Sequence, residues 1–411
     1  MTPGDAPAGH LPAGAAPRVA VVGVHGHGTT HVRTVTGLHH TGQARFAAVA
    51  DPQLPPSGGS AVSGPATGRV TRVEELPAGT AVYSDLDSLL AATEVDVVVI
   101  CTPIHTHVPL AEKALRAGAD VLLEKPPAAS LAEFERLQQV VEETGRSCQV
   151  GFQVHGSRAA RTLASWVADG RLGELRGIGA VGAWVRTDEY WQRARWAGRR
   201  SLDGIPVVDG AVTNPFAHAS ATALLVDGSG TAAQVASVET DLYRANPIEA
   251  DDTSAVRIRT TRGTTILAAL TLCAEPPGAE PAIIVHGSRG RAVLRYPSDH
   301  LELTVDGVTT ATQYERDDLL VNLLDHRADP SVPLLAPLAE LGGFTRVLEE
   351  VRLSPPQEIA PALIDWQGDG PGRHPVVAEV GKWAAQAAEN LSLFSELGAP
   401  WATTNERRSA Y

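Results

Sequence analysis

From Arg18 to Phe152 the chain alternates short apolar runs with stretches of helical periodicity, and this alternation limits the fold more than any other feature of the sequence. The runs are Val19–Val24, Phe46–Ala50, Ala81–Tyr83, Val95–Cys101, Val121–Leu123 and Cys148–Phe152. Strands separated by helices need crossover connections, and crossovers build a parallel sheet. The helix signals between them are explicit. Ser84 with Asp87 opens "SDLDSLLAA", Gly118 closes "VPLAEKALRAG", and Ser130 with Glu133 forms a capping box in "SLAE", where serine and glutamate satisfy free backbone N–H groups. These signals predict an α/β fold class with a doubly wound parallel sheet over residues 18–148.

After about Gln149 the character changes. "VADGRLGEL" ends a helix at Gly170, and long β-branched runs follow, joined at Arg262-Gly263, Arg289-Gly290 and Asp306-Gly307. The Asp-Gly pair is a strong hairpin signal. A C-terminal α/β domain with a large open, mainly antiparallel sheet is predicted over 149–402. Within it "ILAAL" and "AIIV" are apolar on both faces, unlike a half-exposed strand. A partner subunit covering the outer face of the sheet, and so a homo-oligomer, is the expectation.

A length of 411 residues suits two domains at about 150 residues or more each. Residues 1–17 form an Ala/Pro/Gly tail with too little apolar surface to order itself, and 403–411 is a second tail. "PQLPPSGGSAVSGPATG", after Asp51, is predicted to be a mobile surface insertion. No apolar run approaches the roughly 18 residues of a membrane span, and no basic region precedes an apolar core at the start. A cytoplasmic protein is expected. The formal charge of −13 gives no attraction to nucleic acid or anionic membrane, which points to a small-molecule partner. Cys101, Cys148 and Cys273 are far apart, in apolar runs and outside any CxxC, so reduced core thiols are predicted. Lys113, Lys125 and Lys382 are the only lysines, and a lysine at a motif position stands out.

"VAVVGVHGHGTTHV" feeds a strand into a loop of three glycines and three histidines. A dinucleotide fingerprint needs a strand, a tight glycine turn, a helix N-terminus for the pyrophosphate and an acid about 20 residues on for the ribose. Here the strand is read as ending at Val24, with Gly26 and Gly28 in the first two glycine positions. Thr29 opens a helix, and Asp51 ends the second strand. His31 then stands where the third glycine is expected, which demands a wider helix approach. A metal reading would recruit His25, His27 and His31, with His39 and His40 as further donors. No acidic ligand lies near them in sequence, and imidazoles can donate to phosphate without a metal, so no metal is expected. Asp51 followed by Pro52, with no adjacent arginine for a 2'-phosphate, favours NAD over NADP.

Two further segments, "CTPIHTH" and "EKPP", lie at the ends of predicted parallel strands, where ligand crevices form. With them the sequence resembles the Gfo/Idh/MocA family of NAD(P)-dependent sugar and cyclitol oxidoreductases. The resemblance is carried by the loop Gly26–His31, by Asp51, by Thr102-Pro103 with His107, and by Glu124-Lys125-Pro126. It implies a Rossmann domain in which Gly26, His27, Gly28, Thr29, His31, Asp51, Thr102, Pro103, His107, Glu124 and Lys125 contact the cofactor. It also implies that Lys125 reaches both the nicotinamide ribose and the substrate hydroxyl. Glu124 and Pro126 shape the turn that aims Lys125, with a cis proline as one means, and His107 either caps its helix or touches the ligand.

Removing hydride from an alcohol carbon requires a base for the hydroxyl proton, and histidine suits that task. The resemblance implies an aspartate and, four residues later on one helical face, a histidine that meet the lysine. The matching segment "PVVDGAVTNPFAHASATALL" supplies Asn214 and His218. Asparagine cannot take a proton, and Asn214-Pro215 also reads as a helix N-cap followed by proline at the first helical position. His218 is the candidate base, and Asp209 could supply the missing charge. "DEYWQRARWAGRR", Asp188 to Arg200, reads either as a sugar-binding wall of rings and arginines or as a solvated loop. "GDGPGRHP", Gly368 to Pro375, reads as a pocket lid or a linker. The expected function is hydride transfer between NAD and a secondary alcohol of a sugar or cyclitol. Net non-redox lyase or glycosidase chemistry on a sugar, and a non-catalytic dinucleotide sensor, are the alternatives.

Overall fold

The computed structural model describes residues 16–54 and 76–402. The expected N-terminal tail up to residue 15, the insertion from residue 55 and the tail 403–411 lie outside them. Of the described residues, those in Met1–Glu124 and Arg136–Gln149 cluster as one compact unit, and those in Lys125–Glu135 and Val150–Tyr411 as a second. The segment Lys125–Glu135 thus groups with the second unit. Among the described residues no helix is long and apolar enough to cross a membrane.

In chain order the first unit and its return run β1 (Arg18–Val22), α1 (Gly28–His40), β2 (Arg45–Ala50), β3 (Ala81–Tyr83), α2 (Leu86–Ala92), β4 (Val97–Ile100), α3 (His107–Arg116), β5 (Asp120–Leu123), α4 (Leu131–Thr144) and β6 (Cys148–Val150). The six strands form one sheet in the order β3-β2-β1-β4-β5-β6, and the β1–β2, β1–β4, β2–β3 and β4–β5 pairs are parallel. Every residue of β4 and β5 is buried, as strands covered on both faces by crossover helices must be. Strand order reverses beside β1, the topological switch point where open α/β sheets take ligands. Asp85, one residue after the expected Ser84, caps α2 by accepting from Ser88 N at 2.8 Å.

The second unit contains α5 (Arg158–Ala168), β7 (Leu175–Ala183), α6 (Asp188–Gln192), β8 (Ser201–Leu202), β9 (Ile205–Pro206), α7 (Ala217–Asp227), β10 (Val235–Arg244), β11 (Thr253–Thr260), β12 (Thr265–Thr271), β13 (Ala279–Gly287), β14 (Gly290–Arg295), β15 (His300–Val305), β16 (Val308–Gln313), α8 (Leu319–Ala328), α9 (Gly342–Leu353), β17 (Gln357–Glu358), β18 (Ile364–Gln367), β19 (His374–Val377), α10 (Val380–Asn390) and α11 (Phe394–Leu397). Nine strands form an open sheet in the order β16-β15-β14-β13-β7-β12-β11-β10-β17. It is antiparallel except for the β7–β12 and β10–β17 pairs. The Asp306-Gly307 turn between β15 and β16 has both residues at positive φ, 51° and 81°, as a two-residue hairpin of this hand requires.

Part of the apolar sheet face over which a partner subunit is expected is covered by a later segment of the same chain. Leu267 and Ala269 of β12 pack in one cluster with Val380, Ala384 and Ala387 of α10 and with Phe394 and Trp401, while α7 covers the opposite face of β12 and β13. β7 permits this through its glycines. A Cβ on Gly179 would lie 2.4 Å from Ala388 O, and one on Gly182 would lie 2.3 Å from a ring carbon of Phe216. The double-sided apolar pattern of "ILAAL" is real, but it records two intramolecular layers.

His155, in the turn before α5, is 3% exposed. Burial pushes its imidazole down from 6.5 to about 4, and the bond to the Ala221 backbone only partly opposes this. The unfolded ring gains a proton near 6.5 while the folded ring resists until about 4. Stability therefore rises with pH across that window and falls by about 3 kcal/mol on acidification to pH 4. Urea midpoints measured from pH 7 to 4.5 should drop steeply for the wild type and less for His155→Leu; parallel slopes would exclude His155 as the cause.

Candidate functional site

The loop after β1 is built by two close approaches. Gly23 turns the chain at φ +82°, with the position of its absent Cβ 2.1 Å from Cys101 O. Gly28 starts α1 with its Cβ position 2.1 Å from Gly23 O, so Gly28 is the glycine that lets helix and strand touch. Gly26 has φ +58° and open space around it. The fingerprint therefore runs Gly23-x-His25-x-x-Gly28. This corrects the reading that set Gly26 and Gly28 as the first two glycines and His31 as the third. The strand ends at Val22 rather than Val24, and Gly23, missed in the sequence, could have been found from the shorter strand. His31 lies in the first turn of α1, where no glycine is needed, and the helix approach is close.

Asp51 follows β2 and is 7% exposed. It accepts from Val24 N at 3.0 Å and Gln53 N at 2.9 Å, one bond per oxygen. A carboxylate oxygen can take two, which leaves capacity for ribose hydroxyls. His25 Nε2 stands 3.9 Å from the same carboxylate. Thr29 Oγ1 donates to Gly26 O at 2.8 Å. In the turn after β4, Thr106 Oγ1 donates to Pro103 O at 2.7 Å, and its bond to Thr102 Oγ1, also 2.7 Å, pairs the two hydroxyls. His107, buried as the first residue of α3, bonds Thr102 O through Nε2 at 2.8 Å. It fastens the strand-end loop rather than capping the helix. A glycine cradle without room for a Cβ, a helix N-terminus and an acid at the end of β2 fit a dinucleotide.

His31 Nε2 is 2.8 Å and His27 Nε2 3.4 Å from Glu124 Oε1. Burial would push the Glu124 carboxyl up, but hydrogen bonds from His27 and His31 outweigh it and hold the group well below the usual carboxylate range. The acidic partner absent from the local sequence is thus supplied from 93 residues away.

In the second unit Lys125, whose bond to Pro126 is cis, donates to Asn214 Oδ1 at 2.7 Å and Asn214 O at 3.0 Å. Asn214 Nδ2 donates to Asp209 Oδ1 at 2.5 Å. Asp209 is buried, and it also accepts from Arg193 at 2.9 Å and Gly198 N at 2.8 Å. Asn214 is not the N-cap: α7 begins at Ala217, and the asparagine side chain serves the charged groups instead. The expected shared helical face is corrected accordingly, since only His218 lies on α7. His218 is half-buried, with its ring edge-on to Phe152 at 5.4 Å. Asp209 links to Lys125 through Asn214.

The aromatic and arginine stretch is ordered around that cluster. Arg193 lies over Tyr190 at 3.7 Å and Trp196 at 4.6 Å, and Arg186 over Trp184 at 4.8 Å and Tyr190 at 4.9 Å. Burial pushes the Tyr190 phenol up to about 12. "GDGPGRHP" comprises the loop joining β18 to β19 and the first two residues of β19, and its Arg373 O accepts from Asp188 N at 2.8 Å.

Residues 17–152 match the model of an oxidoreductase family with an NAD-binding Rossmann fold, GFO_IDH_MocA. An inositol 2-dehydrogenase of Rhizobium meliloti (strain 1021) is 31% identical over 158 residues, 38% of this chain and 42% of that protein. An uncharacterized oxidoreductase of Rhizobium meliloti is 36% identical over 106 residues, 26% of this chain and 32% of its own length. The matched segments thus span less than half of either relative. Among solved structures, the WlbA dehydrogenase from Bordetella pertussis, in complex with NADH and UDP-GlcNAcA, is similar with a TM-score of 0.64 and 20% identity. That match covers 82% of this chain and 95% of that one, and at this identity it speaks to the fold.

Proposed function

We propose that the chain transfers a hydride between NAD and a secondary alcohol of a sugar or cyclitol, a reading supported by the match of residues 17–152 to the Gfo/Idh/MocA oxidoreductase model with its NAD-binding Rossmann fold. The observation that carries this reading is the hydrogen-bonded chain Lys125–Asn214–Asp209–Arg193. Lys125 and Arg193 bring two positive charges against the single negative charge of Asp209, and Asn214 adds none. The surplus cation favours a substrate oxygen that is becoming an alkoxide. His218 takes the hydroxyl proton as general base, and Lys125 fixes the oxygen. NAD, when bound, accepts the hydride. The absence of an arginine beside Asp51 favours NAD over NADP.

The test uses cyclitols and aldoses deuterated at each carbinol carbon. A primary isotope effect with deuterium appearing in the reduced nicotinamide is expected. Solvent deuterium entering the substrate without NADH accumulation would replace the reading with net non-redox chemistry, and tight NADH binding without turnover of any polyol would leave a sensor.

Asn214→Asp, which restores the residue the resemblance leads one to expect, should lower kcat rather than raise it. The new carboxylate would face Asp209 Oδ1 where an N–H now donates at 2.5 Å, and two carboxylates that close cannot both ionise. Loss of one charge-assisted bond, about 2 kcal/mol, corresponds to about thirtyfold in rate. Steady-state kinetics near neutral pH check it, and a faster variant would show that Asp209 does not set the charge there.

A further inference from the structure

We propose that His27, His31 and Glu124 form a binding site for a divalent transition-metal ion of the zinc class. Among the described residues these three side chains bring their ligating atoms within 4.8 Å of one another. Around a tetrahedral zinc ion with bonds near 2.1 Å, neighbouring ligand atoms lie about 3.4 Å apart. The Glu124 Oε1 to His31 Nε2 and His27 Nε2 distances are 2.8 and 3.4 Å and all three ligand atoms lie within 4.8 Å, so rotation of the exposed His27 ring and a slight opening of the His31–Glu124 pair bring the set to that spacing. The histidines are four residues apart, one at the residue preceding α1 and one in its first turn, and they present the same nitrogen to the same oxygen.

The donor set selects the metal class. Two imidazoles and one carboxylate suit zinc, cobalt or iron(II), whereas magnesium and calcium prefer oxygen alone. Glu124 and His31 are buried and form a fixed floor. The His27 side chain is 51% exposed, which gives an access route and leaves one side of the ion for water or an anionic oxygen. The N-terminus of α1 opposes a cation by about half a charge, and the full charge of the Glu124 carboxylate outweighs that. On binding, two neutral imidazoles and a carboxylate hold the dication, and any proton on the two Nε2 atoms leaves to solvent.

The test is a titration of the chelator-treated full chain with Co²⁺, without nicotinamide or substrate, so that it is independent of the catalytic reading. One equivalent should give visible d–d absorption, and Zn²⁺ should abolish it. His27→Ala, at an exposed position where folding is not at stake, and Glu124→Gln should each weaken binding by about 10-fold or more, with unchanged circular dichroism for His27→Ala. No stoichiometric d–d spectrum in the wild type, or a spectrum that survives both substitutions, would overturn the proposal.

Discussion

Lys125→Met is expected to lower kcat by about 10²- to 10³-fold, the usual effect of removing a positioned charge that stabilises a developing oxyanion. Methionine keeps most of the stem and removes the ammonium group. The charge balance at Asn214 and Asp209 then shifts from one surplus cation to none, and the bonds at 2.7 and 3.0 Å to Asn214 are lost. Lys125→Arg should not restore the rate, because a planar guanidinium cannot replace a compact ammonium between Oδ1 and the carbonyl of one residue. Single-turnover kinetics alongside NADH titration separate the chemical step from cofactor binding. A chemical step unchanged in Lys125→Met would remove this residue from the mechanism.

Gly28→Ala should destabilise the first unit by about 2–3 kcal/mol, lowering its Tm by about 5–10 °C, and weaken NADH by more than tenfold. The added Cβ would lie 2.1 Å from Gly23 O, a backbone atom that cannot swing aside. Gly26→Ala is the comparison. Its Cβ meets nothing within 4 Å, so only the strain of φ +58° remains, about 1–2 kcal/mol. Calorimetry of both variants should rank Gly28→Ala as the more damaged; the reverse order would reinstate Gly26 as the packing glycine.

These two positions illustrate what a sequence can show of such a site. The alternation of strands and helices was legible because each strand–helix unit carries its own local signals, and the parallel sheet followed because strands joined through helices need crossover connections. Which glycine lacked room for a side chain was not legible, because Gly23, Gly26 and Gly28 differ only in what the folded backbone places opposite them. Glu124 was visible as part of "EKPP", yet its meeting with His31 depends on β5 ending one strand beyond β1, with β4 between them. Asn214 fitted the local rules for a helix cap and was drawn instead to Lys125 and Asp209, since a buried carboxylate and an ammonium reward a neutral bridge more than a free helix end does. The two-faced burial of "ILAAL" was read correctly as burial, but nothing local distinguished a later segment of the same chain from a second molecule.

The cover supplied by α10 also sets an order of events during synthesis. All strands of the nine-stranded sheet are made before residue 359, whereas Val380, Ala384, Ala387, Phe394 and Trp401 come after it. A nascent chain therefore lacks this cover over Leu267, Ala269 and their neighbours until residues 380–401 have been made and have left the ribosome. During that interval the exposed sheet face is a ready target for chaperones and for aggregation with other nascent copies.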